Sequence, residues 1–260
     1  MIGDTVVHQA PAPTLPLHLR AAILLRLLAI QGVWNYETML GNGIAFAMEP
    51  ALRRLPGGRQ GEAYRIAMAR HSGYFNAHPY LAAVAVGALI RAELDGVPAA
   101  QIDRFRTAAP GPLGSVGDRL IWAGWLPLCS SLALLAYGLG AGPLAVVLLF
   151  LLTYNFVHLG LRIWGLHAGW NQGLRVAQAL ANPLLRQGPA HVARVTALVA
   201  GVALPVAAHA LIGPGRVLLG SVLAAVAAGA TLVTLLHGRF EGWRLATLAL
   251  ATFVLYTMVR

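Results

Sequence analysis

The stretch LIWAGWLPLCSSLALLAYGLGAGPLAVVLLFLLTYNFVHLGL, residues 120–161, contains no Asp, Glu, Lys or Arg over forty-two positions. A helix needs about 20 consecutive apolar residues to cross the hydrocarbon core of a bilayer. Small residues at 137–143 divide the stretch into two halves of about 18 residues, each near that length. The sequence therefore predicts a membrane protein with a helical hairpin over residues 120–161.

The composition of the whole chain supports a membrane environment. Hydrophobic residues make up 58% of the chain and charged residues only 11%, too apolar for a water-soluble domain of this length. The net charge is +10, and every basic residue is an arginine. The arginines stand singly between apolar runs, which favours anionic lipid headgroups over nucleic acid as their partner.

The part before the hairpin is more polar. Residues 1–14 are predicted to form a disordered leader. Residues 15–30 have helical spacing with interspersed basic residues, which is typical of a helix in the membrane interface or of an amphipathic helix packed on protein. The apolar run 77–90 is short for a span and fits a re-entrant or buried segment. Residues 96–112 are predicted to be an aqueous loop with a short helix.

The predicted fold class is an all-α integral membrane protein. An interfacial helix and re-entrant or broken helices are followed by about four to five transmembrane helices. A single membrane domain is expected over 15–260, with an interfacial and broken-helix part at 15–119, the hairpin at 120–161 and C-terminal helices at 195–259. Within the last part the expected helices cover residues 195–215, 217–238 and 245–259.

Two polar motifs precede the hairpin and could form a binding site. In QGVWNYETM, residues 31–39, Asn35 and Glu37 could hydrogen-bond a polyhydroxyl ligand or a partner subunit, although an interfacial aromatic belt is an alternative interpretation. In HSGYFNAHPY, residues 71–80, Pro79 predicts a helix break beside Asn76 and His78. Transporters build membrane sites from such broken helices.

Two further motifs border or lie inside the hairpin. GPLGSVGDRLIW, residues 111–122, lacks the ending of a phosphate loop and predicts a tight turn into a transmembrane helix. Asp118 would then be either a cap at the start of that helix or a functional carboxylate. Asn155 and His158, followed by Arg162, share one helix face, for which interhelical hydrogen bonding is the favoured interpretation.

Taken in order, these motifs resemble the IID membrane subunit of mannose/fructose/sorbose-family sugar phosphotransferase systems (PTS). The resemblance covers about residues 20–175. It is carried by QGVWNYETM (31–39), PALRRL (50–55), RHSGYFNAHPY (70–80), GPLGSVGDRLIW (111–122) and NFVHLGLRIWG (155–165).

The resemblance implies a permease subunit in the bacterial cytoplasmic (inner) membrane, with several passes. Such a subunit pairs with a IIC subunit to form the path of a hexose, in a higher oligomer of IIC–IID pairs. IIA and IIB partners carry the phosphoryl group, so the chain would be a non-catalytic subunit with no phosphorylated residue, metal or cofactor. The residues expected near the sugar path are Asn76, His78, Glu93 and Asp118, followed by Asn35 and Glu37.

Departures from the family pattern motivate two alternatives. Leu94 follows Glu93 where the family has a second Glu, and Leu126 stands where an Arg is usual. A protein of the same descent could therefore have kept only a structural or regulatory role. A metal-dependent hydrolase using His71, His78 and Asp118 is a third hypothesis, although two histidines without a third ligand are a weak metal pattern.

Overall fold

The computed structural model describes residues 14–175 and 182–212, together with five isolated positions between residues 220 and 231. The described part is built from helices: α1 Leu17–Leu28, α2 Gly41–Leu52, α3 Glu62–Ser72, α4 Ala82–Leu94, α5 Ala99–Ala108, α6 Pro110–Gly117, a π-helix Asp118–Trp125, α7 Leu126–Gly138, α8 Pro143–Gln172 and α9 Pro183–Ile212. Residues 1–13 of the predicted leader lie outside the described residues. So do the predicted helices at 217–238 and 245–259, apart from the isolated positions.

Three helical segments within the described residues are long and apolar enough to cross a membrane: Ala99–Gly138, Pro143–Gln172 and Leu185–Leu211. These segments, in a chain otherwise built of shorter helices, confirm the predicted all-α membrane fold. The predicted turn of small residues is present, since α7 ends at Gly138 and α8 begins at Pro143. Gly140 between them has a φ of 90°, a conformation that favours glycine.

The prediction for residues 96–118 was right in part. The expected short helix is α5, but the expected tight turn is replaced by α6, which continues into the π-helix and α7. Asp118 continues the helix with φ −61° and ψ −44°, and it does not cap a helix start. Of the glycines that indicated a turn, Gly117 lies directly against the His78 side chain. Close packing thus outweighs the low helix propensity of glycine.

The core is the crossing of α4 and α8. Every residue from Ala82 to Ile90 is buried, as the buried alternative for this apolar run predicted. The two backbones approach closely at Gly87 and Gly169, where an added side chain would overlap the opposite main chain. This use of small residues is typical of helix contacts in membranes, where lipid supplies no hydrophobic force between helices.

Helix α1 is apolar on two faces. Leu19, Ile23 and Leu27 are buried in the core, which agrees with an amphipathic helix packed on protein. Leu17 and Leu25 on another face are exposed. The helix therefore packs on the core and still presents leucines outward.

The α1–α2 connection (residues 29–40) and the α3–α4 connection (residues 73–81) are joined by backbone hydrogen bonds. The backbone N–H of Leu40 donates to Phe75 O (3.0 Å), and that of Phe75 donates to Thr38 O (3.1 Å). Met39, beside this pair, is a non-glycine residue with a φ of 51°. The two polar motifs of the sequence, residues 31–39 and 71–80, therefore form one paired structure between helix ends.

Candidate functional site

His78 is the centre of the site because its ring is buried with one nitrogen unused. It is 1% exposed, directly before Pro79 in the α3–α4 connection. Its Nδ1 accepts a hydrogen bond from the backbone N–H of Tyr80 (3.2 Å), so the neutral ring carries its proton on Nε2. That Nε2 is buried and has no hydrogen-bond partner among the described residues. A buried donor without a partner is costly, which makes His78 a candidate for ligand binding.

Aromatic rings surround His78. Its ring centroid lies 4.9 Å from that of Tyr80 and 5.0 Å from that of Trp122. Tyr80 stacks on His158 at 4.2 Å, and its hydroxyl lies 2.6 Å from that of Tyr154. Trp122 belongs to the π-helix, a distortion that is frequently found at functional sites. We call His78, Tyr80, Trp122, Tyr154 and His158 the aromatic cluster.

A chain of polar side chains along α8 supports the aromatic cluster. Asn155 Oδ1 lies 3.2 Å from His158 Nδ1, and Arg162 Nε donates to His158 Nε2 (2.8 Å). Arg162 is buried, lies over the Tyr80 ring at 4.9 Å and donates through Nη1 to Leu27 O. The partial negative charge at the end of α1 helps to offset its positive charge. The expected hydrogen bonding of Asn155 and His158 is therefore mainly within α8, and Arg162 makes the link to another helix.

Glu93 belongs to a separate, buried ionic network. Its Oε1 lies 2.5 Å from Arg70 Nη1 and 2.7 Å from His71 Nε2. On the other side of the His71 ring, Arg106 Nη1 donates to Nδ1 (3.1 Å). Arg106 Nη2 also donates to Gly73 O (3.0 Å), at the start of the connection that carries His78. Glu93 thus acts on this connection through His71 and Arg106.

The network fixes the protonation state of its members. Because Arg106 can only donate, His71 Nδ1 must accept, and Nε2–H donates to Glu93. Burial lowers the pKa of His71 below its usual range, despite the neighbouring carboxylate. Burial alone would raise the pKa of Glu93, but the hydrogen bond from His71 and the charges around it lower it overall. His71 is therefore neutral and Glu93 ionised at pH 7.

The other predicted site residues lie nearer the surface. Asn76 and Asp118 are exposed, two residues before His78 and one residue after Gly117 in the chain. Glu37 is exposed as well. Asn35 has a local role, since its Oδ1 accepts from the backbone N–H groups of Glu37 (3.0 Å) and Thr38 (2.9 Å). This is an Asx turn that shapes the first connection.

The residues of the metal hypothesis do not form a cluster. His71 uses both ring nitrogens in the network with Glu93 and Arg106, whereas His78 lies in the aromatic cluster. Over residues 14–175 and 182–212, no three His, Cys, Asp or Glu side chains converge as a metal site would require. The hydrolase hypothesis therefore receives no support from the described residues.

Sequence reasoning did not single out four of the important residues. Arg106 was assigned to an aqueous loop, although it is buried. Tyr80, Trp122 and Tyr154 were read only as parts of motifs or apolar runs. A usable signal was present, because each of these aromatic residues stands within four positions of a polar residue at the edge of or inside an apolar run: His78, Asp118 or Asn155.

Several known proteins are similar to this chain in sequence and in fold. The family model described as the PTS system mannose/fructose/sorbose family IID component matches residues 17–208. The mannose-specific EIID component of Escherichia coli K12 is 32% identical over 171 residues, covering 64% of this chain and 59% of that protein. The fructose permease IID component of Bacillus subtilis 168 is 32% identical over 158 residues, covering 58% and 55%. The chain thus spans less than two thirds of the length of these relatives.

Two solved structures are similar. A cryo-EM structure of the mannose transporter ManYZ with microcin E492 matches with a TM-score of 0.57 and 28% identity, covering 72% of this chain and 69% of that one. A structure described as a membrane protein matches with a TM-score of 0.64 and 27% identity, covering 73% and 70%. Both similarities extend over the greater part of the chain.

Proposed function

This chain belongs to the IID components of the mannose/fructose/sorbose family of PTS systems, and from that membership we propose that it forms a sugar path together with a IIC subunit. The observation that carries the proposal is the unused Nε2–H of buried His78, set among aromatic rings at a helix break. Sugars are recognised by polar groups that bind hydroxyls and by aromatic faces that pack on their C–H surfaces.

The depth of the aromatic cluster supports a path through the membrane. Tyr154 lies about 16 Å along α8 from Pro143, at a rise of about 1.5 Å per residue. That distance is about half of a hydrocarbon core of about 30 Å. A polar cluster at mid-membrane depth in a transporter family is best explained by a substrate.

Each expected site residue has a role in this proposal. His78 donates to a sugar hydroxyl, with Trp122 beside it as the packing face. Exposed Asn76 and Asp118 border the same place and contribute further polar groups. Glu93 positions the connection through His71 and Arg106. Asn35 shapes the paired connection, which leaves Glu37 at its surface.

The IIC partnership is supported by polar residues of α8 that remain partly exposed within a membrane span. Tyr154, Asn155 and His158 are only partly buried, although they lie in the middle of a span. Their polar groups are paired within the chain, but polar side chains exposed to lipid are still costly. A partner subunit that covers this face would complete the path with polar groups of its own.

In the complete system the chain is a permease subunit, crossing the bacterial inner membrane several times within a higher oligomer of IIC–IID pairs. IIA and IIB proteins supply the phosphoryl group, and the hexose leaves phosphorylated. The contacts of His71 are consistent with a subunit that is not itself phosphorylated. Both of its ring nitrogens are hydrogen-bonded, to Glu93 and Arg106, which makes it a poor phosphoryl acceptor.

The alternative is a IID-derived protein with a structural or regulatory role only. It was motivated by Leu94 and Leu126, but Glu93 makes a complete network without a second Glu beside it. No contact of the described residues favours the alternative over transport.

The experiment is uptake of labelled hexoses by cells that express the chain with its IIC, IIA and IIB proteins. His158→Phe removes a polar member of the uncovered face, and His167→Phe changes an exposed histidine elsewhere on α8. We expect uptake with the native chain and with His167→Phe, and a strong loss with His158→Phe. Absence of uptake of every PTS hexose by the native complex would support the structural or regulatory alternative.

A further inference from the structure

Three arginines converge on one buried carboxylate at the end of α2. Glu49, 5% exposed, forms ion pairs with Arg26 (2.9 Å), Arg53 (2.6 Å) and Arg59 (3.1 Å). The Tyr64 hydroxyl adds a hydrogen bond of 3.2 Å. We call Arg26, Arg53 and Arg59 the arginine cage.

The arginine cage carries an uncompensated positive charge. Burial raises the pKa of the Glu49 carboxyl, but Arg53, Arg26 and Arg59 outweigh it and lower the pKa overall, so the group is ionised. Three positive charges and one negative charge leave a net charge of +2. The side chains of Arg53 and Arg59 are 44% and 62% exposed, so much of this charge faces outward. An anion can therefore approach it.

The surface next to the arginine cage is apolar. The guanidinium of Arg26 lies 4.6 Å above the ring of Phe46, which is exposed on α2. Leu25 and Leu28, also exposed, share a face of α1 that lies about 100–160° around the helix axis from Arg26. A ligand with a long apolar chain would therefore contact the positive charge, Phe46 and, around the side of α1, these leucines.

The position of the arginine cage fits the membrane boundary. The turn between α7 and α8 lies at one end of α8, and Arg162 lies about 28 Å further along the helix. That distance is close to a hydrocarbon thickness of about 30 Å. Arg162 contacts the carbonyl of Leu27, the neighbour of Arg26. The arginine cage therefore lies near the level of phosphate headgroups.

We propose that the arginine cage and the adjacent exposed side chains of Leu25, Leu28 and Phe46 bind an anionic phospholipid, its phosphate against Arg53 and Arg59 and its acyl chain on the apolar surface. The apolar part favours a lipid over an acidic protein, which would need polar or charged neighbours around the arginines. The site anchors α1 at the interface. It also lies beside Leu27, whose carbonyl accepts a hydrogen bond from Arg162, the residue that supports the aromatic cluster. Binding at this site does not depend on sugar transport.

The test is a titration of the purified full chain with phosphatidylglycerol and phosphatidylcholine of the same acyl chains, followed by native mass spectrometry. We expect phosphatidylglycerol to bind more tightly. Arg53→Gln and Arg59→Gln should each weaken its binding by about fivefold, the effect of one basic residue near a lipid surface. Arg104→Gln, which changes an exposed arginine on α5, should have no effect.

Several results would overturn the proposal. Equal binding of the two lipids, or equal losses for Arg104→Gln and Arg59→Gln, would show that no specific site exists. If inorganic phosphate bound as tightly as the lipid, the apolar surface would not contribute to binding. A polyglutamate peptide that displaced the lipid at lower concentration would indicate an acidic protein partner instead.

Discussion

Gly117 lies directly against His78, and a side chain at position 117 would overlap the Cβ and Cγ atoms of the histidine. This contact joins the start of the π-helix to the helix break that carries the unused Nε2–H. The glycine is therefore required for the position of His78, and the histidine in turn explains why α6 contains glycine there.

Gly117→Ala should displace His78 and cost about 1–3 kcal/mol, the range for overpacking in a tight interior. Gly111→Ala is the matched control, because no atom lies within 4 Å of a side chain added there. Thermal unfolding in detergent and hexose uptake would be measured for both variants. Equal stability and uptake for the two would show that the contact at 117 has no consequence.

Glu93→Gln should lower the stability by about 3 kcal/mol, since Arg70 and His71 lose the largely buried carboxylate that pairs with them. Uptake should fall while membrane insertion is retained, because the α3–α4 connection loses its support. Asp95→Asn removes only the exposed pair with Arg91 and should cost less than about 1 kcal/mol. Normal uptake and stability in Glu93→Gln would show that Glu93 does not support the connection.

The buried ring of His71 predicts a loss of stability in acid. Burial lowers the pKa of His71 below its ordinary 6.5, despite the neighbouring Glu93. The unfolded chain therefore binds a proton more readily than the folded chain, so this contribution is complete above about pH 6.5 and is lost as the pH falls below it.

The unfolding temperature should therefore fall as the pH is lowered below 6.5, and it should fall less in His71→Gln, which has no ionisable ring at this position. Thermal unfolding at a series of pH values would measure both slopes. A wild-type curve no steeper than that of His71→Gln would mean that His71 is not held neutral by the fold.

Gly169→Ala should destabilise the crossing of α4 and α8, because the added methyl group meets the backbone of Val84 and Ala88. On the exposed side of the same helix, Gly160→Ala has open space and should gain up to about 1 kcal/mol of helix stability. Unfolding in a denaturing detergent would compare the two. Opposite signs are expected, and a gain for Gly169→Ala would contradict the close approach.

The membrane fold could be predicted from the sequence, because an uncharged apolar run of this length is what two helices surrounded by lipid require. The turn at residues 137–143 followed from the same run. The glycines at 111, 114 and 117 predicted a turn by their composition, whereas the segment is helical and Gly117 packs closely against His78. Only the tertiary contact distinguishes the two uses.

Sequence patterns indicate some residues of the candidate site and miss others. His78 stands before a proline, which predicts a helix break, and in the structure its ring contacts those of Tyr80 and Trp122. The resemblance implies a role for Glu93, but the position of its partner His71 also depends on Arg106, which is 13 residues from Glu93 in a stretch predicted as a loop. The sequence shows that Arg106 is charged, but it does not show whether the side chain is solvated or, as here, hydrogen-bonded to His71 on α3 and to Gly73 in the α3–α4 connection.

The most direct test of the proposed sugar path is hexose binding, measured by calorimetry, to the purified complex of this chain with its IIC subunit. His78→Phe retains an aromatic ring of similar size but lacks the Nε2–H donor. We predict saturable binding by the native complex and a loss of about tenfold or more in affinity for His78→Phe, the effect of leaving a sugar hydroxyl unpaired. An intact His78→Phe complex that binds the sugar as tightly as the native one would contradict the proposed path.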